Sequence, residues 1–295
     1  MIEVAQEVAD ALAEGAAVVA LETTLVAHGF PPGEGLDVAL ESERRVRAGG
    51  AVPATVGVLD GAIRVGLSAS ELERFAGAGD EARKAGPRDL AACVAQRTLG
   101  ATTVGGTLTV CTAAGIRFLG TGGLGGVHRG FAERPDVSAD LAAVARSPVL
   151  VVSSGVKSLL DVEATLEVLE SLGVPVVGWR ADTLPLFYAA SGGPSVALRV
   201  DAVADAAAIA RSHWELGSGG LLVAQAPAES VDVEPLLPEA LAAASAAGIK
   251  GQAVTPFVLA HLHERSEGAT VRVNKQLIGD NAQLAAEIAV AFASG

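Results

Sequence analysis

Positive charge is scarce in this sequence. Lys and Arg total 21 against 34 Asp and Glu, a formal net charge of -13. No basic stripe is left to neutralise phosphates, so nucleic acid is excluded as a partner and the acidic balance reads as solubility. No apolar run approaches about 18 residues without a charge or a turn residue, which excludes a spanning helix and a membrane partner. Asp10 and Glu14 precede the first Lys or Arg, so the N-terminus lacks the basic region of a signal peptide and a cytoplasmic protein is expected. Cysteine is nearly absent. Cys93 and Cys111 lie in Ala- and Val-rich segments, which excludes a disulfide framework or a cysteine zinc site in favour of free buried thiols. Pro/Ser-rich linkers, long charge blocks and internal repeats are also missing, so residues 1–295 are read as a single domain.

Lysine is the rarest of the charged residues: only Lys84, Lys157, Lys250 and Lys275 occur, beside seventeen arginines. Codon bias is one explanation. The other is that Arg supplies the general surface charge and Lys is kept where a primary amine is needed, since only Lys deprotonates to form a Schiff base. What the chain has in quantity is apolar bulk, half of its residues being hydrophobic, and a further 35 residues are glycine. At 29.5 kDa, area scaling gives a folded surface of roughly 11,500 Å², about 73% of the unfolded surface being buried.

Short Val-, Ala- and Leu-rich runs at Ala17–Leu21, Ala54–Val58, Val149–Val152, Val174–Val177 and Gly220–Ala224 alternate with segments of helical period. Runs of this length bounded by Gly, Pro or Ser are strands buried on both faces, so the fold class is α/β with a largely parallel sheet. Helices are expected over Gly35–Ala48, Ser68–Phe75, Arg88–Thr98, Ser158–Leu172, Val203–Leu216, Glu239–Ala247, Pro256–Glu264 and Asn281–Ala293, the second opened by the capping-box spacing Ser68 to Glu71.

In such folds chemistry collects just past the carboxyl ends of the strands. The first run ends at Glu22-Thr23-Thr24. A Glu entering a low-dielectric pocket becomes a usable proton donor, while the plainer reading is a hydrogen-bonded Glu with capping threonines. Gly120, Gly122 and Gly125 satisfy GxGxxG after a strand, but Gly130 and Pro135 break any helix that should follow, so a dinucleotide site is rejected. The loop with His128 and Arg129 still suits an anion. Asp136 and Asp140 flank Ser138 ahead of a helical stretch; either Ser138 or Asp136 caps that helix, or the carboxylates hold a hard cation such as Mg²⁺ or Mn²⁺. Lys157 follows the run ending at Ser153, and an expected helix start at Ser158 would place the positive end of a helix dipole beside a partly buried amine, the setting of a nucleophile. Lys84, in a turn-rich segment, reads as a phosphate clamp. Lys250 and Lys275 read as surface residues.

Ala20-Leu21-Glu22-Thr23-Thr24, Ala51–Thr55, Gly100–Val104, Thr121–Gly130, Asp136–Leu141, Gly155-Val156-Lys157-Ser158, Thr255-Pro256-Phe257 and Asn281-Ala282 occur in this order along the chain. Taken together the sequence resembles the pseudouridine-5′-phosphate glycosidases, also called indigoidine synthase A-like proteins, over essentially its whole length. The resemblance implies a three-layer α/β/α sandwich, assembled as a homotrimer, that reversibly converts pseudouridine 5′-phosphate and water to uracil and ribose 5-phosphate in nucleotide catabolism. It also implies Lys157 as the Schiff-base nucleophile and Glu22 as the proton donor. Lys84, Val104, Ser138, Ala139, Asp140, His128 and Asn281 are implied as substrate contacts. Asp136 is implied at one Mn²⁺ ion, held through waters, with Asp140 near enough to share or take that role. A separate pseudouridine kinase is expected to make the substrate. Two places depart from the family pattern: Gly105-Gly106 after Val104, and Asp280 before Asn281. A lysine-dependent aldolase or lyase acting on another sugar phosphate, and a silent phosphometabolite sensor, are the competing expectations.

Overall fold

The structure, a computed structural model, describes residues 1–133, 135–249, 251 and 254–295. Its strands are β1 (Ile2–Val4), β2 (Val18–Glu22), β3 (Val52–Leu59), β4 (Ala62–Val65), β5 (Arg83–Ala85), β6 (Gly100–Thr102), β7 (Phe118–Gly120), β8 (Val127–His128), β9 (Leu150–Ser153), β10 (Leu160–Asp161), β11 (Val176–Trp179), β12 (Leu198–Val200) and β13 (Leu221–Gln225). One sheet runs β1-β4-β3-β2-β7-β9-β13-β11-β12, with β6 on β3 and β5 on β6, while β8 and β10 form a separate antiparallel pair. Within the large sheet only β3–β4 and β3–β6 are antiparallel. The first of these is a hairpin closed by Asp60-Gly61, both at positive φ, as a two-residue turn between right-twisted strands requires.

Alternate residues of the central strands divide between two cores. Val19 and Leu21, Leu150 and Val152, and Leu221 and Val223 face one; Ala20, Val151, Leu222 and Ala224 face the other. Burial of both faces is why these strands read as unbroken apolar runs. The helices are α1 (Gln6–Ala13), α2 (Thr24–His28), α3 (Gly35–Ala48), α4 (Ala69–Ala78), α5 (Leu90–Gln96), α6 (Val104–Ala114), α7 (Ala139–Arg146), α8 (Val162–Ser171), α9 (Val203–Glu215), α10 (Leu237–Ala246), α11 (Val254–Arg265) and α12 (Ala269–Ala293). Helices α3 and α9 pack on α12 over one face, and α6, α7, α8 and α10 build the core of the other, completing the α/β/α sandwich. The folded surface is 11898 Å², close to the expectation from mass. Among the described residues no helix is long and apolar enough to cross a membrane. Cys93 and Cys111 are free and buried.

Two of the expected helices begin well away from the residue the sequence suggests. The helix expected from Ser158 begins at Val162, capped by Asp161, whose side chain accepts from Ala164 N. Residues 160–161 instead pair with β8, and the Arg129 guanidinium donates to the carbonyls of Ser158 and Leu160, holding that stretch extended. The dipole argument for Lys157 therefore falls. Conversely, the helix expected from Asn281 is the last half of a 25-residue helix. Gly279 does not stop it, because a helical glycine costs only about 1 kcal/mol relative to Ala, a small term beside the burial of this helix on both sides of that point.

Candidate active site

Strand β2 is followed in sequence by β3 on one side, while the later β7 occupies its other side. Strand order thus reverses at β2, and a crevice opens at the carboxyl ends of β2 and β7, where parallel sheets bind ligands. Glu22 is the last residue of β2 and Thr121 follows the last residue of β7. Lys157 arrives from the next strand, β9, on a loop whose shape is fixed by Gly155. That glycine has φ +73, and a Cβ there would lie 2.3 Å from the Pro185 carbonyl oxygen. Lys157 N donates to Leu124 O at 3.1 Å, tying its loop to the glycine loop.

The glycine loop is built for close approach. A Cβ on Gly125 would sit 2.4 Å from Ser138 Oγ and 2.6 Å from Asp140 Oδ2, so the loop lies directly against the start of α7. Ser138 caps that helix by accepting from Asp140 N, as one of the two sequence readings had it. Asp140 accepts from Gly105 N at 2.8 Å through one oxygen and from Gly125 N at 3.0 Å through the other. It clamps the start of α6 to the glycine loop. The departure Gly105-Gly106 has a local reason as well, since a Cβ on Gly106 would meet the Ala85 carbonyl oxygen at 2.3 Å.

Eight of the expected residues, Glu22, Lys84, His128, Asp136, Ser138, Ala139, Asp140 and Lys157, line one cavity of about 430 Å³. Burial pushes the Glu22 carboxyl up to about 7; the Lys157 ammonium and the Thr121 hydroxyl pull it down, Asp140 pushes it up, and Lys84 pulls it down. Burial likewise pushes the Lys84 ammonium down to about 8, helped by Lys157 and opposed by Asp140 and Glu22. His128 is lowered by burial, with Asp136 opposing. The site thus holds a carboxyl that is half protonated near neutrality, facing cations. Thr121, whose hydroxyl donates to Glu22 Oε1, was not singled out from the sequence, although the strand-end rule that finds Glu22 also points to it.

Val104 and Asn281 do not line this cavity. Val104 is the buried first residue of α6, beside Thr103, which does line it. Asn281 lies behind the site, where its Nδ2 donates to Thr121 O at 2.8 Å and Ser154 Oγ at 3.1 Å, joining the loops that carry Thr121 and Lys157. Asn281→Ala strips buried acceptors of their donor, and is expected to lower the free energy of unfolding by about 1–3 kcal/mol in a urea titration.

No group of three or more His, Cys, Asp or Glu able to hold a metal occurs among the described residues. Both Asp140 oxygens are engaged by backbone amides, and those of Asp89 by Arg83 and Gly86 N, so that beside Glu22 the carboxylate left on the cavity wall is Asp136, half-buried and next to His128. That donor set fits a hard divalent ion held through one carboxylate and waters, the usual manner for such ions beside a phosphorylated ligand. A larger cavity of about 780 Å³ lies elsewhere, against Phe30, Leu259 and Val271, and contains neither Glu22 nor Lys157. Lys275 lines it, paired with Glu34 at 2.8 Å and half-buried where the sequence reading placed it on the open surface. Lys250 lies outside the described residues.

The family model described as indigoidine synthase A-like protein matches residues 7–291. A pseudouridine-5′-phosphate glycosidase of Chloroflexus aurantiacus is 46% identical over 98% of each chain. One from Salinispora tropica is 50% identical over 98% of this chain and 91% of its own. Among solved structures, a prealnumycin C-glycosynthase in complex with ribulose 5-phosphate superposes with a TM-score of 0.90 at 39% identity, covering 100% of this chain and 97% of that one. An indigoidine synthase A-like protein of Thermotoga maritima gives a TM-score of 0.87 at 37% identity, over 98% and 96%.

Proposed function

This chain belongs to the indigoidine synthase A-like family, and from that premise we propose that it is a C-glycosidase that reversibly converts pseudouridine 5′-phosphate and water to uracil and ribose 5-phosphate through an imine on Lys157. The observation that carries this reading is the joint exposure of Glu22, held near half-protonation, and Lys157 to one cavity that also contains Lys84. An ordinary glycosidase protonates a heteroatom of the leaving group. Here the scissile bond is carbon to carbon, and two carboxylates do not suffice.

As the C1′–O4′ bond opens and O4′ takes a proton, the Lys157 amine bonds to C1′ and releases a proton. Glu22 then delivers its proton to C5 of the uracil. The amine lone pair closes a C=N bond as the C1′–C5 bond breaks, and that bond's electron pair stays with the uracil ring. Water hydrolyses the imine, freeing ribose 5-phosphate and restoring the lysine. Lys84 and the Ser138-Ala139-Asp140 turn position the pentose phosphate, and His128 lies on the same wall. Asp136 would hold a Mn²⁺ ion through waters, its charge offsetting that of the bound phosphate. The reading makes the chain one protomer of a homotrimer in pseudouridine catabolism, supplied with substrate by a separate kinase.

Borohydride trapping tests the covalent step. Incubation with ribose 5-phosphate and Mn²⁺, reduction and digestion are expected to leave a pentose-phosphate adduct on Lys157 alone, read by mass spectrometry. An adduct spread over Lys84, Lys250 and Lys275 is nonspecific glycation and removes the nucleophile assignment. Consumption of ribose 5-phosphate that depends on uracil separates this activity from an aldolase acting on the same sugar.

A further inference from the structure

Thr121 is fully buried and held on three sides. Its N–H donates to Val152 O at 3.0 Å, so its backbone is fixed to β9. Its carbonyl accepts from Asn281 Nδ2 at 2.8 Å, so it is also fixed to α12. Its hydroxyl proton goes to Glu22 Oε1. A hydroxyl has one proton to give, and an oxygen that receives it is an acceptor. With that donation kept as Glu22 takes up a proton, the neutral carboxyl carries its own proton on the other oxygen, Oε2.

We infer that Thr121 is the positioning residue of Glu22, fixing Oε1 as the hydrogen-bond acceptor and so assigning the transferable proton to Oε2. The inference rests on the glycosidase reading for its catalytic consequence, but its structural content concerns the unliganded protein. Removing the hydroxyl leaves the carboxylate without its donor. The charged groups that act on Glu22 remain: Lys157 on the loop after β9, Lys84 on β5 and Asp140 at the start of α7. Both forms of Glu22 lose a hydrogen bond, but the charged carboxylate is the stronger acceptor and loses more than the neutral acid, so ionisation moves to higher pH.

Two variants test this. Thr121→Val is close to isosteric and removes only the donor, while Thr121→Ser keeps it. In Thr121→Val, ionisation of Glu22, followed by ¹³C NMR of carboxyl-labelled glutamate and assigned with Glu22→Gln, is expected to rise by about one pH unit. The falling alkaline limb of uracil release from pseudouridine 5′-phosphate is expected to rise with it, KM staying within about twofold while kcat falls. Thr121→Ser is expected to restore both curves. An unmoved Glu22 titration in Thr121→Val, or an equal loss in both variants with unchanged pH profiles, would overturn the assignment and leave Thr121 a packing residue. If the unmodified protein releases no uracil, the glycosidase reading fails, and the NMR titration still decides the role of Thr121.

Discussion

Uracil release from pseudouridine 5′-phosphate is expected to fall by at least about 10⁴-fold in Lys157→Ala, with the fold intact. The size follows from the chemistry. Without an amine on C1′ no lone pair drives the carbon–carbon cleavage, and the leaving uracil carbon is too poor an anion to depart unaided. The contacts that shape the loop belong to its backbone: Lys157 N to Leu124 O, Leu160 N to Lys157 O, and Ser153 Oγ to Gly155 O. Truncating the side chain leaves them in place, so circular dichroism and the melting temperature should stay close to those of the unmodified protein. Lys157→Arg is the sharper companion. It restores a cation but not a deprotonable amine, and is expected to be as inactive as the alanine variant. Substantial activity in either variant would move the nucleophile elsewhere, with Lys84 on the same cavity the first alternative.

The sequence is a good guide wherever local chemistry and tertiary packing ask for the same conformation. Helix α3 spans Gly35–Ala48 as its periodicity predicts, and Ser68 closes a full capping box with Glu71 at the start of α4. The runs around Val19, Val151 and Leu222 are strands because neither of their faces reaches water. Glu22 and Lys157 are legible for a related reason. In a parallel sheet every strand delivers its next residues to one edge, so reading the strand ends reads the site before the sheet order is known.

What stays hidden is decided by contacts far apart in sequence. Nothing local to Leu159 and Leu160 shows that Arg129 will claim the carbonyls of Ser158 and Leu160, and their apolar character suits a helix as well as the short strand that starts at Leu160. Gly279-Asp280 has the composition of a helix start, yet it lies inside a helix long enough to meet both cores. The glycine loop reads as an anion cradle. Its Gly125 is required instead by the side chains of Ser138 and Asp140, which approach from a segment more than ten residues on. Asn281 falls in a motif implied to touch substrate, and the structure places it one layer back, hydrogen-bonded to the loops that hold Thr121 and Lys157.

The second large effect is expected at Glu22→Gln, where loss of activity and gain of stability should appear together. Removing the acid is expected to slow uracil release by about 10²- to 10⁴-fold. The burial that makes Glu22 useful also makes it costly. Its carboxyl ionises near 7 in the folded chain against 4.5 for the ordinary group. Below about 4.5 the side chain is neutral in both folded and unfolded states. Between about 4.5 and 7 the folded state keeps a proton that the unfolded state has lost, so the stability of the unmodified protein falls as pH rises through that window. Above 7 the loss is complete, at up to roughly 3 kcal/mol. A neutral amide keeps an oxygen to accept from Thr121 and has nothing to ionise. Urea denaturation at pH 8 should therefore find Glu22→Gln more stable than the parent, and the two should converge toward pH 5. Catalysis reads the same ionisation from both sides: uracil release needs the protonated form and declines as pH rises through about 7, whereas uracil addition to the imine needs the carboxylate and declines as pH falls through it. Equal stability of the two proteins at pH 8 would show that Glu22 ionises in the folded chain as it does in water, and its assignment as the proton donor would lose its physical basis.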